Sequence, residues 1–409
     1  MSSRQPSNGF TLSALSAVYL VWGAIASLND LLIPYLKNEF GLNFSGAMRI
    51  QFVFYTAYFL LSIPCGMLAR RFGYRNGVMT GLLVALGGCL AMIGASQTGS
   101  YAVVLVAVFV LASGITMLQV SSNPFATSLG PGRTAASRLT LVQSFHSLGT
   151  TVGPWFGAVL IFSLAAAWPR ETPGQAIWLP YAILAAALGV LALLFLRQVE
   201  AGRPEHVASE GRMSPIRLAR ANPRLLPGTL GIFCYVGAEI AIASLLVNYL
   251  VQPGIADVEY ATAGKLVSVY WGCALAGRFA GIGLLRMFSP HKLLGVYAAI
   301  AVLLLATTMT VSGYPAVVSI LVIGFFNSIM FPTIFALTLQ HSPATDAPNA
   351  SGVLCLGIVC GAVISQLQGM LADAIGIQAS FVLPLVCYVY IVFLAMTLLK
   401  PIPHSGIEA

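Results

Sequence analysis

The sequence predicts an all-α membrane protein with twelve transmembrane helices in two pseudo-symmetric six-helix bundles. Three observations predict it. The 409 residues are 58% hydrophobic and only 8% charged, whereas a soluble domain carries about 25% charged residues. The apolar residues fall into twelve runs, each near the roughly 20 residues needed to cross the hydrocarbon. The longest polar stretch, 198–224, divides these runs six and six. In lipid each run has to satisfy its own backbone hydrogen bonds, so the spans are helices.

The first span, 11–36 (TLSALSAVYLVWGAIASLNDLLIPYL), is about 26 residues long. It well exceeds the roughly 7–15 residues of a signal-peptide core and is expected to be retained. Spans 2 and 3, at 47–69 and 77–97, are joined by the basic turn ARRFGYRNG. Span 4, 101–129, contains LQVSSNPF, and span 5, 138–165, contains LVQSFHS. Span 6, 177–197, closes an N-terminal bundle of residues 1–197. A cytoplasmic linker is expected at 198–224 and a C-terminal bundle at 225–409. The second bundle holds spans at 225–251, 261–287, 292–312, 315–340, 350–372 and 378–399.

The halves echo each other. ASLNDLLIPYL in span 1 resembles IASLLVNYL in span 7. A short basic turn containing Phe follows both span 2 and span 8. LQVSSNPF in span 4 and FNSIMFPT in span 10 each place an amide before a proline. Parallel six-helix repeats are the signature of the major facilitator fold, whose halves rock about a site near the midplane.

The net charge is +8, and its distribution marks topology. With the N-terminus inside, fifteen Lys and Arg fall on the cytoplasmic side and four (Lys37, Arg49, Arg170 and Lys265) outside. This bias puts both termini in the cytoplasm and leaves no call for a nucleic-acid partner. The seven cysteines all lie within spans, with no loop partner, disulfide framework or metal spacing. There is no phosphate-binding G-x-x-x-x-G-K-[ST] loop. A secondary transporter is therefore expected, in a lipid bilayer and as a monomer, rather than an enzyme, with no cofactor and no metal.

Two acids interrupt the apolar runs: Asp30 in span 1 and Glu239 in span 7. An acid at a bilayer centre costs roughly 2.5–3.5 kcal/mol on insertion scales, and such residues mark ion or substrate routes. Asp30 follows Asn29 and precedes Pro34, which frees the carbonyl one turn back, at Asp30 itself. Burial penalises the charged form of an acid, so Asp30 and Glu239 are the candidates to take up and release a proton. Arg278 in span 8 is the one basic residue deep in a span. It is expected either to pair with Glu239 or to snorkel toward the cytoplasm.

The amides form a third set. Gln119 and Asn123 share a face of span 4 at i, i+4, and Gln143 and Ser147 do the same on span 5, beside His146. Asn248, Asn327 and Gln366 lie on spans 7, 10 and 11. Neutral amides both donate and accept, which suits a hydroxyl-rich ligand. The candidate substrate-binding set is Asn29, Gln119, Asn123, Gln143, His146, Glu239, Asn248, Asn327 and Gln366.

The runs GAIASLNDLLIPYLKNEFGL, ITMLQVSSNPFATSLGP, SRLTLVQSFHSLGTTVGPWFGA, CYVGAEIAIASLLVNYL and FPTIFALTL resemble the fucose–galactose–glucose:proton symporter family of the major facilitators. The resemblance runs from span 1 through span 11. It implies proton-driven sugar uptake across a bacterial inner membrane, with hexoses such as glucose or galactose, or a fucose-like sugar, as substrate. Asp30 matches the span 1 aspartate of the fucose branch, and Gln143 matches a sugar-contacting glutamine. Gln119 stands where the fucose branch has glutamate and Glu239 where it has glutamine, so the chain looks more like the glucose/galactose branch. The 66–75 turn, GMLARRFGYR, resembles the superfamily's loop motif but lacks its acidic residue, so a charge latch of the usual form is not expected. The alternatives are sodium in place of the proton, and proton-coupled export of a small polar metabolite or drug.

Overall fold

A computed structural model describes residues 8–42, 44–158, 177–197, 214–397 and 399. Among them the regular elements are helices. The first half comprises α1 (Asn8–Glu39), α2 (Phe44–Phe72), α3 (Tyr74–Thr98), α4 (Tyr101–Ser128), α5 (Ala135–Ala158) and α6 (Trp178–Arg197). The linker contributes α7 (Pro215–Ala221). The second half comprises α8 (Leu225–Leu250), α9 (Tyr260–Met287), α10 (Pro290–Thr310), α11 (Tyr314–Asn327), α12 (Met330–Leu339), α13 (Ala347–Leu356), α14 (Cys360–Ile375), α15 (Ile377–Ser380) and α16 (Val382–Thr397). Eleven of the twelve expected spans are helices long and apolar enough to cross a membrane. The fifth is described only to Ala158, and its expected continuation to 165 lies outside the described residues, as does most of the linker.

Two expected spans are not continuous. Span 10 breaks between α11 and α12 at Ser328–Ile329, and span 11 passes through a 3-10 turn at Gly357–Val359 between α13 and α14. Pro332 explains the first break. It has no N–H to offer the carbonyl four residues back, at Ser328, and the Ser328 hydroxyl turns to the Phe325 carbonyl at 2.6 Å. Pro124 has the same effect on the Val120 carbonyl, yet α4 runs on unbroken. Ser351 of α13 donates to that carbonyl at 2.7 Å, so the second half satisfies the group that proline leaves open in the first.

The halves meet along the ends of the helices nearest the linker. α2 packs on α13, α5 on α9 and α12, and α4 on α13. Gly66 and Gly352 let α2 and α13 approach at backbone distance. A Cβ on Gly66 would lie 2.7 Å from the Pro348 carbonyl, and one on Gly352 would lie 2.6 Å from the Ser62 carbonyl. Small residues at such crossings are how membrane helices pack closely. Here they join the halves with no side chain between them. Polar contacts reinforce the same end. Ser137 donates to the Ile282 carbonyl at 2.9 Å, and Gln340 Nε2 donates to the Gly132 carbonyl at 2.7 Å. Arg70 pairs with Asp346 at 3.4 Å. The 66–75 turn thus takes part in a charge latch, with its acid supplied by the opposite half.

Candidate functional site

A cavity of about 190 Å³ lies between the halves. α1 supplies Tyr19, Trp22 and Ala26, spaced so that one helical face looks into it. Phe54, Tyr55 and Tyr58 come from α2, Gln119 from α4, and Gln143 and His146 from α5. The second half supplies Tyr235, Val236, Glu239 and Ile240 on α8, Arg278 on α9, Phe331 on α12 and Ile358. Phe331 sits just past the first helix break and Ile358 lies inside the second, so both interruptions shape the wall.

The tyrosines orient the polar groups. Tyr58 Oη donates to Gln119 Oε1 at 2.8 Å, which occupies the amide oxygen and leaves the amide nitrogen to donate elsewhere. Tyr19 Oη donates in the same sense to Asn123 Oδ1. Tyr235 Oη donates to Glu239 Oε1 at 2.8 Å, one turn along the same helix. Trp22 meets the His146 ring edge-on, with centroids 4.7 Å apart. The rings of Trp22, Phe54, Tyr58 and Phe331 give the cavity its apolar walls.

Arg278 takes neither course expected of it. Arg278 and Glu239 line the same cavity without forming an ion pair. The guanidinium reaches across the halves instead. Its Nη1 donates to the Gln143 backbone carbonyl at 2.8 Å and to Ser147 Oγ.

Of the residues singled out from sequence, the cavity brings together Gln119, Gln143, His146 and Glu239. Asn123 is fully buried one turn behind Gln119, held by Tyr19. Asn327 is fully buried, and its Nδ2 donates to Tyr270 Oη at 3.0 Å. Asn29 is buried and does not line the cavity. Asn248 and Gln366 are exposed and do not line it. Asp30 lies within α1, but its side chain lies outside the described residues. Tyr19 and Tyr58 were not singled out, although the spacing of Tyr19, Trp22 and Ala26 along α1 was the available signal.

The Major Facilitator Superfamily pattern matches residues 14–365. The chain belongs to the Major Facilitator Superfamily. It is 46% identical over 394 residues to a glucose/galactose transporter of Brucella abortus, covering 96% of this chain and 95% of that protein. It is 31% identical over 411 residues to the L-fucose-proton symporter of Escherichia coli, covering 93% and 91%. The crystal structure of the latter, FucP, in the outward conformation matches this superfamily member with a TM-score of 0.85 at 29% identity, over 96% of this chain and 99% of that one. These relatives are transporters, not enzymes. They bear out the fold and the family resemblance read from the sequence.

Proposed function

We propose that the protein is a secondary active transporter that takes up a hexose together with a proton, by alternating access of two bundles, 1–197 and 225–409, joined by the linker 198–224. The observation that carries this reading is the cavity between the halves, where aromatic rings flank the amides of Gln119 and Gln143 and the carboxylate of Glu239, with Gln119 and Glu239 oriented by tyrosines. Rings suit the apolar faces of a sugar, and the donors and acceptors suit its hydroxyls. The names of the glucose/galactose and fucose relatives support the same substrate class and the proton. Gln119, Gln143 and Glu239 are assigned to sugar hydroxyls. Asp30 is assigned the coupling proton from its place in the sequence. The positive-inside bias supports cytoplasmic termini in a bacterial inner membrane. On that orientation the closed linker side faces the cytoplasm, and the state described is outward-facing.

The test is uptake into proteoliposomes with a sugar panel, imposing pH and sodium gradients separately. A hexose should accumulate under an inward proton gradient alone, and accumulation should vanish as the outer pH is raised to match the inner. Accumulation driven by sodium at equal pH would move the coupling ion to sodium. Movement of sugar only outward would make the protein an exporter.

A further inference from the structure

We infer that Arg278 is a positioning residue for transport. It acts as a clasp that holds the linker side shut and has to leave α5 before that side opens. The inference rests on the transporter reading above and adds to it the group that ties gate to site.

Three observations carry it. First, the two hydrogen bonds of Nη1 run from α9 in one half to the Gln143 carbonyl and the Ser147 hydroxyl of α5 in the other. Rocking the bundles apart at this level has to break both. Second, the clasp and the cavity share residues. Arg278 lines the cavity, and the carbonyl it holds belongs to Gln143, whose side chain is also part of the wall. A ligand that draws on Gln143 therefore acts on the helix that the clasp grips. Third, the guanidinium is not fully spent on α5, because its Nε is buried without a hydrogen-bond partner.

A buried charge stripped of its partners is strongly destabilising, so a clasp that opens needs a second resting place. Glu239 supplies one. It lines the same cavity, belongs to the same half as Arg278, and is not paired with it in this state. Arg278 therefore has two alternative positions. On α5 it joins the halves, and on Glu239 it lies within one of them. Planar guanidinium geometry suits both partners, with a fork of N–H groups that a lysine lacks.

The test reads gate position without any sugar present. A reporter, Ala26→Cys, is placed on the cavity wall, and its reaction with a membrane-impermeant maleimide is followed from the side opposite the linker. Protein without the reporter gives the background of native thiols. Losing a hydrogen bond to a charged group shifts an equilibrium by about tenfold or more, so Arg278→Met should slow reporter labelling by about twofold where the outward state dominates and by up to about tenfold where the balance lies toward the other state. Ser147→Ala should slow it less, and Arg278→Lys should recover part of the rate. Unchanged labelling in both Arg278→Met and Ser147→Ala would overturn the clasp, even if thermal stability fell. Should Arg278→Met not fold, Ser147→Ala, which keeps the guanidinium, decides alone. A separate arm asks whether sugars protect the reporter. Failure of protection would reject the sugar reading and leave the labelling result standing.

Discussion

The first half meets the cavity with unbroken helices and oriented neutral amides, while the second meets it with two interrupted helices, a carboxylate and a guanidinium. The contrast is sharpest at the two prolines. Pro124 leaves α4 intact, and Ser351 caps the freed Val120 carbonyl. Pro332 follows a break at Ser328–Ile329. Rigid elements hold recognition groups more accurately than loops do, whereas interrupted helices are where transporters bind and gate. On the roles proposed, both halves hold sugar hydroxyls, the first through the neutral amides Gln119 and Gln143 and the second through Glu239, while the second alone adds a guanidinium and interrupted helices to the cavity wall.

Asp30 is the exception that would break this comparison, as the one acid assigned to the first half. Asp30→Asn should abolish uphill accumulation in proteoliposomes while sparing sugar exchange, since an amide mimics the protonated acid. Full accumulation by the variant would return coupling to the second half. Glu239→Gln has the next largest expected effect. Loss of a hydrogen bond to a charged group costs about 1.5–3 kcal/mol, which raises the sugar Kd roughly tenfold or more. Titration of sugar binding checks it, and unchanged affinity with an altered pH response would make Glu239 the coupling group.

Gly352→Ala should act on the seam, because its Cβ would lie 2.6 Å from the Ser62 carbonyl. Overpacking of this kind costs about 1–3 kcal/mol. The variant should favour the state open at the linker side and slow labelling from the opposite side. Gly87→Ala, which meets nothing within 4 Å, should leave the rate unchanged. The smallest effect belongs to Tyr58→Phe. It removes the neutral hydrogen bond that orients Gln119, worth about 0.5–1.5 kcal/mol, and should weaken sugar affinity by severalfold with coupling intact. A loss as large as that of Glu239→Gln would show that orienting Gln119 matters as much to the sugar as the charged contact does.

The spans were legible because apolar length is dictated by the bilayer, and the six-and-six division because the linker is the longest polar stretch. The breaks in spans 10 and 11 were not, since hydropathy is blind to a missing N–H such as that of Pro332 and to a local 3-10 turn such as Gly357–Val359. Pro124 and Pro332 look alike in sequence, and only the fold shows that a serine of the opposite half reaches the carbonyl freed by Pro124. Glu239, Gln119, Gln143 and His146 could be found by their polarity in apolar runs. Asn248 and Gln366 have the same polarity, but nothing in a single span says which face looks inward. Arg278 was visible as a buried base, but its partner was not. A backbone carbonyl carries no sequence signature, and an acid-and-base reading pointed to Glu239 instead.

The guanidinium in the cavity has an electrical consequence. On the assignments proposed, two carboxylates and one arginine leave the empty site with one net negative charge, and binding a proton with a neutral sugar brings it to zero. The loaded carrier would then cross the field uncharged, and the empty carrier would return bearing the charge. A membrane potential is worth about 2.3 kcal/mol per elementary charge per 100 mV. An inside-negative voltage would therefore act by driving the unloaded site back to the outer face. It would speed the reset of the cycle and leave the delivery stroke untouched.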